Sequence, residues 1–228
     1  MGACGSRDRV PVIEGAHAEE NFCFKAECAL KLHSVEFRTF QSAIKRFGYR
    51  MDLNDEHFKS IAAEINLDYE SIHANHNAGQ ALAYMDEKFA FKGKKHNVDN
   101  LIIMGWLLCK HWSDEAQGTE LWHIMNPTLR ETVFKAEVVA FVRKLCYVAV
   151  TLNEIMVKAL PQGNEKDNAI KYLERIGTNQ EKFMLHLASQ LDEECDKESL
   201  DFLDQVYRSY DLRMTIAGDK DLDEKEEQ

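Results

Sequence analysis

Apolar residues recur three and four positions apart along almost the whole chain, the spacing of one buried face of an α-helix. Phe37, Phe40, Ile44 and Phe47 mark the first such face, which stops at Gly48. Asn54 opens the second: its short side chain suits an N-cap, Asp55 and Glu56 complement the positive end of a helix, and Phe58, Ile61, Ala62 and Ile65 share one side. These two predict a helix-turn-helix pair. Tyr69 to Gly79, rich in Asn and His, reads as a polar connector, after which a short helix with Leu82, Met85 and Phe89 leads into the basic turn Lys92-Gly93-Lys94-Lys95. Val98 to Trp112 predicts the most buried helix. Ser113, Asp114 and Glu115 cap the next, whose apolar face is Leu121, Trp122 and Met125 and which breaks at Asn126-Pro127.

Helical spacing returns at Phe134, Val138, Phe141, Val142 and Leu145 and continues through Leu152, Ile155 and Met156 to Leu160. Two further helices are expected up to Leu191, joined at Gly177 and restarted by the capping box Thr178-x-x-Glu181. A last helix, Leu200 to Tyr210, precedes an acidic tail. No strand-period alternation lasts long enough to build a sheet, so the expected class is all-α. The expected division is a flexible leader at 1–18, a helical lobe at 19–92, a second lobe at 93–212 and a tail at 213–228.

Composition agrees with a folded chain: of 228 residues, 45% are apolar and 29% charged, close to ordinary globular usage. The net charge of −11 repels phosphate backbones and argues against a nucleic-acid surface. Six cysteines lie scattered without CxxC pairs, several on apolar helical faces, which suits reduced thiols and an intracellular setting. The most apolar stretch, Leu101 to Cys109, is well short of the roughly 20 residues that span a bilayer. Met1-Gly2-Ala3-Cys4-Gly5-Ser6 fits the myristoylation pattern at Gly2 and places a palmitoylation candidate at Cys4. Two acyl chains would give a stable peripheral membrane anchor; the alternative is an unmodified leader.

The most informative segment runs from Glu120 to Val142. It contains an entering apolar helix, a twelve-residue loop from Asn126 to Glu137, a branched Val133 at the eighth position, glutamate at the twelfth and an exiting apolar helix. This segment resembles an EF-hand, and Leu101–Cys109 followed by it is similar to the degenerate EF-hand proteins of ciliary and axonemal microtubules. The resemblance implies EF-hand-like helix-loop-helix pairs in two packed lobes. It also implies metal-ligating positions at Asn126, Thr128, Arg130, Thr132 and Glu137, with Val133 pairing two loops. The residues depart from the pattern where chelation matters. Asn126 and Thr128 are neutral, and Arg130 puts a fixed cation where calcium needs an oxygen. A unit-charge repulsion at about 4 Å costs roughly 4 kcal/mol at an effective dielectric of about 20, and calcium is divalent. Glu131 replaces the usual glycine at the sixth position, at about 1–2 kcal/mol if the left-handed backbone is kept. An empty loop and no cofactor are therefore expected, with calcium as the alternative. A second loop, with Leu200 at its eighth position, Glu193, Cys195 and Lys197 as chelating positions and Asp204 at its twelfth, is expected to be empty as well.

Signals for catalysis are absent from the motif repertoire: no P-loop, HExxH, GxSxG or zinc-type cysteine spacing occurs. His73 and His76 with Glu70 are weighed as a metal cluster, but their Asn-rich surroundings favour a solvated connector. Trp106, Trp122, Met125, Phe134 and Phe141 are the candidate lining of a groove for a partner helix, with core packing as the alternative for the tryptophans. The expected function is that of a non-enzymatic, calcium-independent adaptor or structural protein. It would bind protein partners in a cytoskeletal assembly, through the resemblance a ciliary microtubule one. The alternative is an acylated calcium sensor on the cytoplasmic face of a membrane.

Overall fold

A computed structural model describes residues 12–48, 53–67, 86, 88–89, 91–92, 95–111, 117–206 and 208–218. Among them are nine α-helices: α1 (Ala18–Cys28), α2 (Phe37–Gly48), α3 (Asp55–Glu64), α4 (Val98–Leu108), α5 (Gln117–Met125), α6 (Lys135–Cys146), α7 (Asn153–Ala159), α8 (Asn164–Gln190) and α9 (Ser209–Gly218). Two-residue strands β1 (Phe91–Lys92) and β2 (Lys95–His96) form one antiparallel ladder, and β3 (Val133–Phe134) and β4 (Glu194–Cys195) form another. The all-α class expected from the apolar spacing is what the chain adopts.

Local chemistry accounts for the clearest elements. Asn54 Oδ1 accepts the His57 amide at 2.9 Å, the N-cap that opens α3. Leu53 and His96 exchange both backbone hydrogen bonds, at 3.1 and 2.6 Å, so the turn before α3 is bridged to the segment that enters α4. In α4 every side chain from Leu101 to Leu108 is buried, as expected of the most apolar helix. Gly105 makes that burial feasible: a β-carbon there would stand 2.4 Å from the Phe40 ring of α2. The helix ends at Leu108, and Trp112, the connector with Glu70, His73 and His76, and Leu82 and Met85 lie outside the described residues.

Several expectations are corrected. The expected break at Gly177 does not occur; α8 runs unbroken from Asn164 to Gln190. Thr178 caps nothing, because its hydroxyl donates backward to the Glu174 carbonyl at 3.0 Å. The buried face Tyr172, Leu173, Ile176, Phe183, Met184 and Leu187 carries the helix across the glycine. The segment around Leu200 is a 3₁₀ turn over Glu198–Gln205, and residues 213–218, grouped with the tail on sequence, belong to α9, where Arg213 and Ile216 are buried. Helix α1 has no counterpart in the expected elements. Helices α6 and α7 join through a π-helical segment, Tyr147–Leu152, that keeps right-handed helical backbone on both sides. The buried apolar side chains make one contiguous cluster from Phe22 to Ile216, not a separate core for each half.

Candidate functional site

The loop between α5 and α6 is organised by its own first residue. Asn126 is fully buried; its Nδ2 donates to the Arg130 carbonyl at 2.7 Å and its Oδ1 accepts the Arg130 amide at 3.1 Å, so one side chain closes the turn from both sides. The Thr128 hydroxyl also leans on that oxygen, at 3.5 Å. The left-handed residue of the loop is Leu129, with φ of 52°, and not Glu131 at the sixth position. The turn therefore departs from the geometry that the EF-hand glycine supports. Val133 is buried, and its ladder partner across β3 and β4 is Cys195, with Phe134 opposite Glu194. Leu200, the eighth position of the second expected loop, is buried in the following 3₁₀ turn.

Glu137 stands in the first turn of α6. Its Oε2 accepts the Phe134 amide at 3.0 Å, reaching back to the helix entry, and its Oε1 accepts the Arg130 guanidinium at 2.8 Å. Hydrogen bonding to Arg130, then to the Phe134 amide, holds the Glu137 carboxyl below the ordinary carboxylate range, and the same pairing raises Arg130. Thr132 turns away toward Glu194, 3.5 Å from its carboxylate. The five candidate ligand positions thus do not converge oxygens on one point. Asn126 serves the loop backbone, Glu137 serves the helix entry and a guanidinium, and the cation on the Glu137 carboxylate is Arg130. Such a donor set does not fit calcium, which takes six to eight oxygens. Among the described residues no group of three or more His, Cys, Asp or Glu is placed to hold a metal.

Beside the loop, α2, α4, α5 and α6 enclose a cleft of about 300 Å³. Ile102, Ile103, Met125 and Phe141 form its apolar lining, Lys45 and Lys144 stand at its polar edge, and Glu137 also borders it. Of the five groove candidates, Met125 and Phe141 come together here. Trp106 does not: it is fully buried, edge-on to Phe37 with ring centroids 5.1 Å apart, and its indole N–H donates to the Val206 carbonyl at 3.3 Å. Trp122 is likewise core, and Phe134 is 56% exposed beyond the cleft. The tryptophans fill the interior because their large apolar rings find partners there. Gly2 and Cys4 lie outside the described residues.

Sequence reasoning missed a second polar centre. Glu20 and Arg213 are fully buried, Glu27 nearly so, and the guanidinium holds both carboxylates: Nη2 to Glu20 at 2.7 Å and Nη1 to Glu27 at 2.7 Å. Tyr172 donates to Glu20, and Asn153 to Glu27 at 2.6 Å. The only sequence sign was that Glu20, Cys23 and Glu27 fall on one face of a helix.

Comparison with protein-family models, with curated proteins and with solved structures finds no match. No helix among the described residues is long and apolar enough to cross a membrane.

Proposed function

We propose that the chain is a non-enzymatic adaptor of degenerate EF-hand type, built to hold a protein partner without calcium. The observation that carries this reading is the Arg130–Glu137 pair inside a loop that is still ladder-paired to a second loop. Loop pairing and flanking helices are what fix the shape of an EF-hand lobe, whereas calcium is what switches it. Here a tethered guanidinium occupies the carboxylate that would grip the ion, so the lobe has one state rather than two. The cleft lined by Met125 and Phe141 offers an apolar seat for a partner helix, the mode that such lobes use. The cytoskeletal setting rests on the resemblance of Leu101–Cys109 and the following loop to ciliary and axonemal EF-hand proteins.

The test is co-sedimentation of the full chain with microtubules assembled from purified tubulin, in calcium chelator and in excess calcium. The reading expects equal retention in both and loss on Met125→Asp, which puts a charge at the cleft. Retention that requires calcium, or none in either condition while acidic lipid vesicles pull the chain down, overturns it in favour of a membrane sensor.

A further inference from the structure

The polar centre beneath α1 has an imbalance that the adaptor reading does not use. Arg213 Nε and Nη2 fork onto Glu20, with contacts of 3.0 and 2.9 Å from Nε and 2.7 Å from Nη2. That bidentate grip spends the guanidinium charge on Glu20. The remaining nitrogen, Nη1, divides itself between Glu27 Oε1 at 2.7 Å and the Ala149 carbonyl at 2.9 Å, in the π-helical segment. One cation therefore faces two buried carboxylates. Asn153, which donates to Glu27 Oε1, carries a buried amide oxygen with no hydrogen-bond partner, so the pocket is also one donor short.

We propose that Glu27 is a buried proton-binding site: its carboxyl is protonated at neutral pH, and the proton holds α1 and α9 on the bundle. A neutral Glu27 removes the surplus negative charge, whereas an ionised one leaves a net charge in a medium that cannot solvate it. Among the described residues, the groups that face it supply no second cation. Cys23, from the same face of α1, is pushed up to about 12 by burial and stays a neutral thiol; Tyr172 of α8 is raised by burial and stays a phenol. Glu20 adds negative charge, Ala149 and Asn153 are uncharged, Cys28 is pushed up to about 12 by burial, and Lys31 is exposed in the turn beyond α1. Burial likewise outweighs Arg213 and drives the Glu27 carboxyl upward from 4.5.

The sign follows from linkage. A carboxyl raised on folding keeps its proton while the unfolded chain loses one, so stability falls as pH rises above about 4.5 toward the folded value. The experiment is infrared spectroscopy of the full chain at neutral pH, with Glu27→Gln and Glu20→Gln alongside. A protonated-carboxyl band that is present in the wild type, absent in Glu27→Gln and retained in Glu20→Gln is the expected result. Melting curves over pH 5 to 9 supply the second readout: the wild-type Tm should drop with pH relative to Glu27→Gln, whose amide mimics the protonated acid. No such band at neutral pH, a band that survives Glu27→Gln, or a Tm difference constant with pH would each overturn the proposal. If Glu27→Gln fails to fold, alkaline titration of the wild-type band decides: loss of the band together with faster amide exchange in α1 and α9 supports it, and absence of the band sinks it.

Discussion

Replacing Arg213 with methionine removes the one cation from the buried centre while keeping most of its volume. The guanidinium is fully buried and donates to Glu20, Glu27 and the Ala149 carbonyl. After the change Glu20 keeps only the Tyr172 hydroxyl, Glu27 only Asn153, and the Ala149 carbonyl loses the side-chain donor it has in the π-helical segment. Breaking a buried ion pair from one side costs about 3–5 kcal/mol. A net loss of about 4 kcal/mol is expected, which for a domain of this size lowers Tm by roughly 8–16 °C. Urea titration at pH 7 measures it. A triple replacement of Glu20, Glu27 and Arg213 by apolar residues should recover most of the stability. A loss under about 1 kcal/mol for Arg213→Met would refute the view that this cluster clamps α1 and α9.

Other expectations follow from single contacts. Gly105→Ala should cost about 1–3 kcal/mol by thermal melting, since its β-carbon would press on the Phe40 ring, while Gly163→Ala, with open space around it, should be near neutral. Asn54→Ala should cost about 1 kcal/mol by losing the cap that opens α3. The Glu137 carboxyl, followed by NMR, should titrate below a free glutamate and return toward it in high salt or in Arg130→Ala. Because that value is depressed, its contribution to stability is present above the ordinary glutamate range and is lost as pH falls through the folded value.

Much of the fold was legible because its helices follow the rule that apolar side chains repeat at helical spacing. The faces of α2, α3 and α5, the Asn54 cap and the break before Asn126 all report through neighbours close in sequence. Helix α1 hid because Glu20 and Glu27 are buried beside its apolar Phe22, Cys23 and Ala26, and the cation that makes those glutamates tolerable comes from Arg213, close to the far end of the described chain. Gly177 misled for the opposite reason. A glycine in a helix costs about 1 kcal/mol, which a long buried face readily outweighs. At the loop, residue type forecast a poor calcium site, but the pairing of Arg130 with Glu137 and the turning of Asn126 inward required coordinates. Trp106, weighed for groove or core, packs in the core and Phe134, weighed for the groove, faces solvent, because aromatic character alone does not say which side of a helix meets the core.

The account turns on Arg130 standing in for an ion. Calorimetric titration of the full chain with calcium, with Glu137→Gln in parallel, measures this most directly. The account predicts no saturable heat and no rise in Tm at millimolar calcium, for a ligand that binds the folded chain must stabilise it. Saturable uptake at micromolar calcium that disappears in Glu137→Gln would contradict it.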